Sequence, residues 1–146
     1  MYFDDLPKGY TFETEAETLS EDEILGFARQ WDPQFFHTDP EAAKASPYGG
    51  LIASGYHTLL IAFNLILGAN IWNEASMGSP GMDSLRWVRP VRPGDTLRVT
   101  AEVISSTPSR SRPDRGRTGF QHTVLNQHDE VVMAYHCTVI LARRRS

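Results

Sequence analysis

Asp32 and His37 stand five residues apart in the run Asp32-Pro-Gln-Phe-Phe-His37-Thr-Asp39-Pro40. A carboxylate and an imidazole at this spacing, on a loop interrupted by proline, can hold one water between them and move its proton. Phe35 and Phe36 supply an apolar wall beside the imidazole. After a short spacer, Gly49-Gly50-Leu51-Ile52-Ala53-Ser54-Gly55 leads into a strongly apolar segment that reads as a buried helix. The start of such a helix presents unpaired N–H donors and a dipole that favours negative charge. Few ordinary structural motifs need both an acid–imidazole pair and a glycine-rich entry into a buried helix.

Plainer readings compete at each position. Asp32 before Pro33 is also an N-cap pattern, as Asp39 before Pro40 is. Ser54 reads as the N-cap of the apolar helix and not as a nucleophile, since no Gly-x-Ser-x-Gly elbow surrounds it. His57, in the first helical turn, suits a substrate contact or a structural hydrogen bond. No spacing between His37 and His57 matches a metal-ligand motif. His122, His128 and His136 fall on strands or a turn and receive no role.

The elements that must position these residues follow from local pattern. Residues 10–18 alternate with a period of two and predict a strand. Ser20-Glu-Asp-Glu23 is a capping box that opens a helix, which Pro33 obliges to stop at Asp32. Asp39-Pro40 starts one short turn running to Ala45. The buried helix runs from about Ser54 to Leu67, apolar on nearly every face, with Gly68 as C-cap. Residues 69–81 form a longer connection able to line a pocket. Strands are predicted over 82–91, 97–103, 117–127 and 131–142, with a polar, arginine-rich hairpin loop over 105–115. The last strand is apolar on both faces, which places it centrally or at an interface.

Bulk properties bound the rest. The 146 residues suffice for one core and predict a single domain over 1–146. The longest apolar run, Leu59 to Leu67, is broken by Asn64 and falls well short of the ~20 residues a membrane span needs. One cysteine, Cys137, excludes an internal disulfide, and with no apolar leader the expected location is the cytoplasm. Charge is uneven: residues 1–80 carry 3 basic and 12 acidic side chains, and residues 81–146 carry 11 and 6. The basic half fits a small anionic ligand, and no zinc, helix-turn-helix or aromatic-basic signature argues for nucleic acid.

With these elements in place the chain resembles the MaoC-like acyl dehydratases, which include the (R)-specific enoyl-CoA hydratases. The resemblance rests on Asp32-x4-His37-x-Asp39, on Tyr48-Gly-Gly-Leu-Ile-Ala-Ser-Gly55 and on Leu85-Arg-Trp-Val-Arg-Pro-Val-Arg-Pro-Gly-Asp-Thr-Leu97, and spans residues 4–142. It implies an α+β hot-dog fold, an antiparallel sheet wrapped around a central buried helix. It implies reversible hydration of a 2-enoyl thioester, with acyl-CoA as substrate and no metal or redox cofactor. Asp32 and His37 would be catalytic and the Gly55 backbone the oxyanion donor, with Ser54, Tyr56, His57 and Phe63 on the substrate. Some members carry a serine where an ungapped comparison puts Phe63, so a shortened pocket for small or branched acyl groups is expected. Arg110, Arg112, Arg115 and Arg117 are candidates for the coenzyme A phosphates, their alternative being a solvated hairpin. The chain is expected to form a homodimer or a higher homo-oligomer. Two other activities suit the same fold: a thioesterase and a non-catalytic acyl-CoA-binding protein.

Overall fold

Local capping decides where the first helix begins. In the computed structural model, which describes residues 1–144, the Ser20 hydroxyl accepts from the Glu23 amide while the Glu23 carboxylate accepts from the Ser20 amide. Helix α1 (Glu21–Trp31) follows and buries Ile24, Leu25 and Ala28, with Asp32 as its C-cap. One-turn helices α2 (Phe35–Thr38) and α3 (Pro40–Ala43) come next. Asp39 caps α3 as expected, its carboxylate accepting from the Glu41 and Ala42 amides. The sequence predicts a loop at 35–38; the structure coils it into α2, which carries His37.

Helix α4 (Gly55–Ala69) crosses the concave face of an antiparallel sheet. The strands are β1 (Thr11–Glu13), β2 (Glu17–Thr18), β3 (Gly81–Trp87), β4 (Thr96–Pro108), β5 (Arg115–Leu125) and β6 (Val131–Ala142). Their order is β1–β4–β5–β6–β3, with β2 also on β4. Leu97, Val99, Ala101 and Val103 alternate inward along β4, as do Phe120 and Val124 on β5, and these side chains form one core with Ile61, Ala62 and Ile66 of α4. This is the hot-dog arrangement. Strand β6 lies between β5 and β3, which explains its apolar run on both faces.

Several boundaries differ from the pattern-based reading. Residues 10–18 form two short strands, because the Thr14 hydroxyl accepts from the Val99 amide and breaks the alternation. Gly68 lies inside α4, and Asn70 takes the left-handed cap at φ 51°. The predicted loop over 105–115 is shorter, since β4 continues to Pro108 and β5 starts at Arg115. Strand β3 stops at Trp87, short of the expected Val91. Helix α4 is not buried all round: Tyr56, Leu60 and Phe63 are 62%, 53% and 47% exposed on one face. Near the C-terminus Arg143 pairs with Asp4 at 2.7 Å and Arg144 with Asp5 at 2.8 Å, tying the two ends together. Arg145 lies outside the described residues.

Candidate active site

The turn through Pro33 brings the α2 imidazole back over the end of α1. His37 Nε2 stands 3.3 Å from Asp32 Oδ2, with the side chains 6% and 13% exposed. The other ring nitrogen, Nδ1, lies 2.8 Å from the Ile52 carbonyl oxygen. A carbonyl only accepts, so Nδ1 carries the proton of that bond and Nε2 is the nitrogen that faces the carboxylate. The Ile52 amide in turn donates to the Phe36 carbonyl, and the Ala53 amide to Val91. The segment leading into α4 is thereby pinned between α2 and the residues after β3.

Asp32 is held by two donors. Gln34 Nε2 donates to Oδ1 at 2.7 Å, and the Ser54 hydroxyl donates to Oδ2 at 2.7 Å. Burial raises the Asp32 carboxyl, but these hydrogen bonds and the neighbouring His37 outweigh it and leave the group below the ordinary carboxylate range. His37 Nε2 and Asp32 Oδ2, 3.3 Å apart, can share a proton directly or through a donor placed between them. The arrangement therefore suits a water or hydroxyl that donates to the pair.

A cleft of about 410 Å³ opens on these groups, walled by Phe36, Tyr48, Gly55, Tyr56, Thr58 and Trp87 among others. Packing against Trp87 requires glycine at position 55. A Cβ there would collide with the Trp87 indole, whose Nε1 donates to the Gly55 carbonyl at 3.0 Å. The space beside the Gly55 Cα is thus taken by Trp87, and what remains for an anion is the N–H side of the first turn of α4. Trp87 walls the cleft and meets Tyr56 edge-on at 6.0 Å.

The structure redistributes the other expected residues. Ser54 occupies the N-cap position but makes no capping bond, its hydroxyl being spent on Asp32. Tyr56 lines the cleft. His57 does not: it turns toward α1, stacks on Phe27 at 4.4 Å, and burial lowers its basicity. Phe63 lies outside this cleft and lines a second cavity of about 500 Å³ farther along α4, so it does not shorten the space around Asp32. Residues 69–81 line that cavity too, through Trp72, Asn73 and Ser79 among others. Arg110, Arg112, Arg115 and Arg117 do not line the cleft. They sit at the far end of β4, about 40 Å of strand contour from Thr96, and Arg115 is engaged by Asp114 at 2.8 Å.

Gln34, Trp87, Arg89 and Arg92 escaped the sequence reading. Arg89 lines the cleft, and Arg92 Nη2 donates to the Tyr48 carbonyl at 2.6 Å. Gln34 had a local signal, two residues from Asp32; the others arrive from β3 and the turn after it. Among the described residues no group of three or more His, Cys, Asp or Glu side chains is placed to hold a metal ion.

Comparison with known proteins bears on the family and the fold. The family model described as "MaoC like domain" matches residues 6–126. The uncharacterized protein YdeM of Bacillus subtilis is 30% identical over 98% of this chain and all of its own length. A 3-hydroxybutyryl-CoA dehydratase of Methylorubrum extorquens is 30% identical over 77% of this chain and 69% of that protein. Some relatives are much longer: the chain covers 33% of protein MaoC of Klebsiella aerogenes. The crystal structure of a MaoC-like dehydratase from Rhodospirillum rubrum superposes with a TM-score of 0.94 at 39% identity, covering 100% of this chain and 99% of that one.

Proposed function

Because the chain belongs to the MaoC-like domain family, we propose that it hydrates and dehydrates acyl thioesters, adding water reversibly across the double bond of a 2-enoyl-CoA. The observation that carries this reading is the approach of Asp32 Oδ2 to His37 Nε2 at 3.3 Å, with Nδ1 committed to Ile52. The dehydratase name carried by the Methylorubrum relative supports it.

In the hydration direction a water donates to the Asp32–His37 pair. Its oxygen bonds to C3 as the pair takes its proton, and the C2–C3 π electrons move toward the thioester carbonyl. The resulting enolate oxygen is stabilised by free N–H groups in the first turn of α4, beginning at Gly55. The same pair returns a proton to C2 and the enolate collapses to the 3-hydroxyacyl thioester. The thioester is the electron sink, so the reaction requires no metal or redox group. Arg89, which lines the cleft and lies 3.4 Å from Glu130, and Arg92, bonded to the carbonyl of the cleft residue Tyr48, are nearer candidates for the coenzyme A phosphates than the distant hairpin arginines.

The protein is further proposed to work as a homodimer. Strand β3 has one neighbour, β6, and a free edge, and Tyr56, Leu60, Phe63, Met82 and Trp87 expose apolar surface along the same seam. An antiparallel edge paired with its own copy about a twofold axis covers both features. The free Cys137 thiol suits a cytoplasmic setting. No helix among the described residues is long and apolar enough to cross a membrane.

The test is a spectrophotometric assay over a panel of enoyl-CoA substrates, run with a thiol-release assay. Loss of enoyl absorbance without free thiol is expected. Free thiol released while the enoyl absorbance persists would identify a thioesterase and overturn the reading.

A further inference from the structure

The cleft and the second cavity meet α4 on successive turns without sharing a wall residue. On α4 the cleft ends at Thr58 and the cavity begins at Leu59; on β3 the cavity takes Gly81 and Met82, and the cleft takes Trp87. Leu60, Phe63, Ile66 and Val139 are among the cavity walls, and no lysine, arginine, aspartate or glutamate lines it. Two spaces so close together stay separate only if a side chain stands between them.

Trp87 holds that position. Its indole lies over Gly55, so close that a Cβ there would collide with it, and Nε1 donates to the Gly55 carbonyl at 3.0 Å. Leu59, four residues on, repeats the position of Gly55 on the same face of the helix, about 6 Å farther along the axis. An indole laid on Gly55 therefore stands between the Asp32–His37 end of the cleft and the Leu59 rim of the cavity. The backbone of Trp87 is fixed as well, since it pairs with Met133 of β6, and Tyr56 meets the indole edge-on at 6.0 Å. A hydrogen bond, a strand pairing and the bare Cα beneath it hold the ring in place.

We propose that Trp87 is a specificity-determining residue, a partition that closes the cleft against the second cavity and so restricts turnover to short acyl chains. The proposal rests on the acyl-thioester reading above and concerns selectivity alone. A chain that ends before the indole fits the cleft, whereas each further methylene must displace a ring anchored at Gly55. A misfit of one methylene in such a pocket changes kcat/KM by about tenfold or more.

The experiment measures kcat/KM for crotonyl-, hexenoyl-, octenoyl- and decenoyl-CoA with wild type, Trp87→Phe and Trp87→Ala. Wild type should favour crotonyl- over decenoyl-CoA by about 100-fold. Trp87→Ala should raise the decenoyl-to-crotonyl ratio at least about tenfold, because the longer chain then gains the apolar walls beyond Leu59. Trp87→Phe loses the bond to Gly55 and part of the bulk, and should shift the ratio the same way by a smaller factor. It decides alone if the alanine variant does not fold. The ratio is taken within each protein, so a general loss of activity cancels. A wild type that prefers decenoyl-CoA, or a ratio that neither variant moves, overturns the proposal. Crotonyl turnover with a flat chain-length profile removes only this inference, whereas no turnover of any enoyl-CoA removes the hydratase reading with it.

Discussion

The Ser54 hydroxyl donates to Asp32 Oδ2 at 2.7 Å, joining the threshold of α4 to the end of α1 across 22 residues of chain. A side chain placed to cap a helix instead fixes the carboxylate beside His37. With Gln34 on the other oxygen, it keeps Asp32 ionised and oriented.

Removing that donor should therefore move the acid limb of activity. In the proposed mechanism Asp32 acts as the carboxylate, and its lowered folded value means that activity, and the stability the ionised group contributes, is present above the ordinary carboxylate range and lost only as pH falls below it. Ser54→Ala should raise the acid limb of kcat/KM by roughly one unit, with Ser54→Thr restoring it. Gln34→Ala should act in the same direction. A pH–rate profile measures both.

Gly55 and Trp87 should behave as one unit. Gly55→Ala forces the indole off the start of α4 and should destabilise the protein by about 1–3 kcal/mol while lowering kcat. Adding Trp87→Ala to Gly55→Ala should cost less than the two single changes together. Denaturant unfolding of the four proteins closes the cycle.

His122 should give the protein a stability that falls on mild acidification. Burial pushes its imidazole down to about 4, below the value of the unfolded chain. As pH drops through the unfolded value of ~6.5 toward 4, the unfolded state takes up a proton that the folded state refuses, so folding weakens by up to about 3 kcal/mol. His122→Phe should remove that part of the slope in urea titrations between pH 7 and pH 4.

Arg89 and Arg92 should contribute chiefly to binding. Replacing both with alanine should raise KM for a CoA substrate about tenfold and weaken its salt dependence, with kcat little changed. The Arg110→Ala/Arg112→Ala pair should leave KM unchanged.

What the sequence discloses here is what is local. The Ser20–Glu23 capping box, the Asp39–Pro40 helix start and the Asp32–His37 spacing each lie within five residues, and each is realised. The bounds of β6 were legible because one long apolar run ends at both sides in polar residues. Relationships between distant segments were not. Nothing near Gly55 points to Trp87, which reaches it because β3 lies beside α4. Nothing near Ser54 distinguishes a capping hydroxyl from one that finds a carboxylate on another helix. The inward alternation of Phe120, His122 and Val124 did carry a signal for a buried imidazole, visible once β5 is known to face α4. The open face of α4 was hidden because an apolar segment looks the same whether its own chain or a second copy covers it.

The most direct measurement is the rate of crotonyl-CoA hydration by wild type and by Asp32→Asn, followed as loss of enoyl absorbance, with circular dichroism confirming that the variant folds. The amide keeps the shape of the carboxylate and one of its two acceptor positions, but it cannot take a proton from water. A fall in kcat of at least about 100-fold is predicted. An Asp32→Asn enzyme that turns over at the wild-type rate would contradict the assignment of Asp32 and His37 as the water-activating pair.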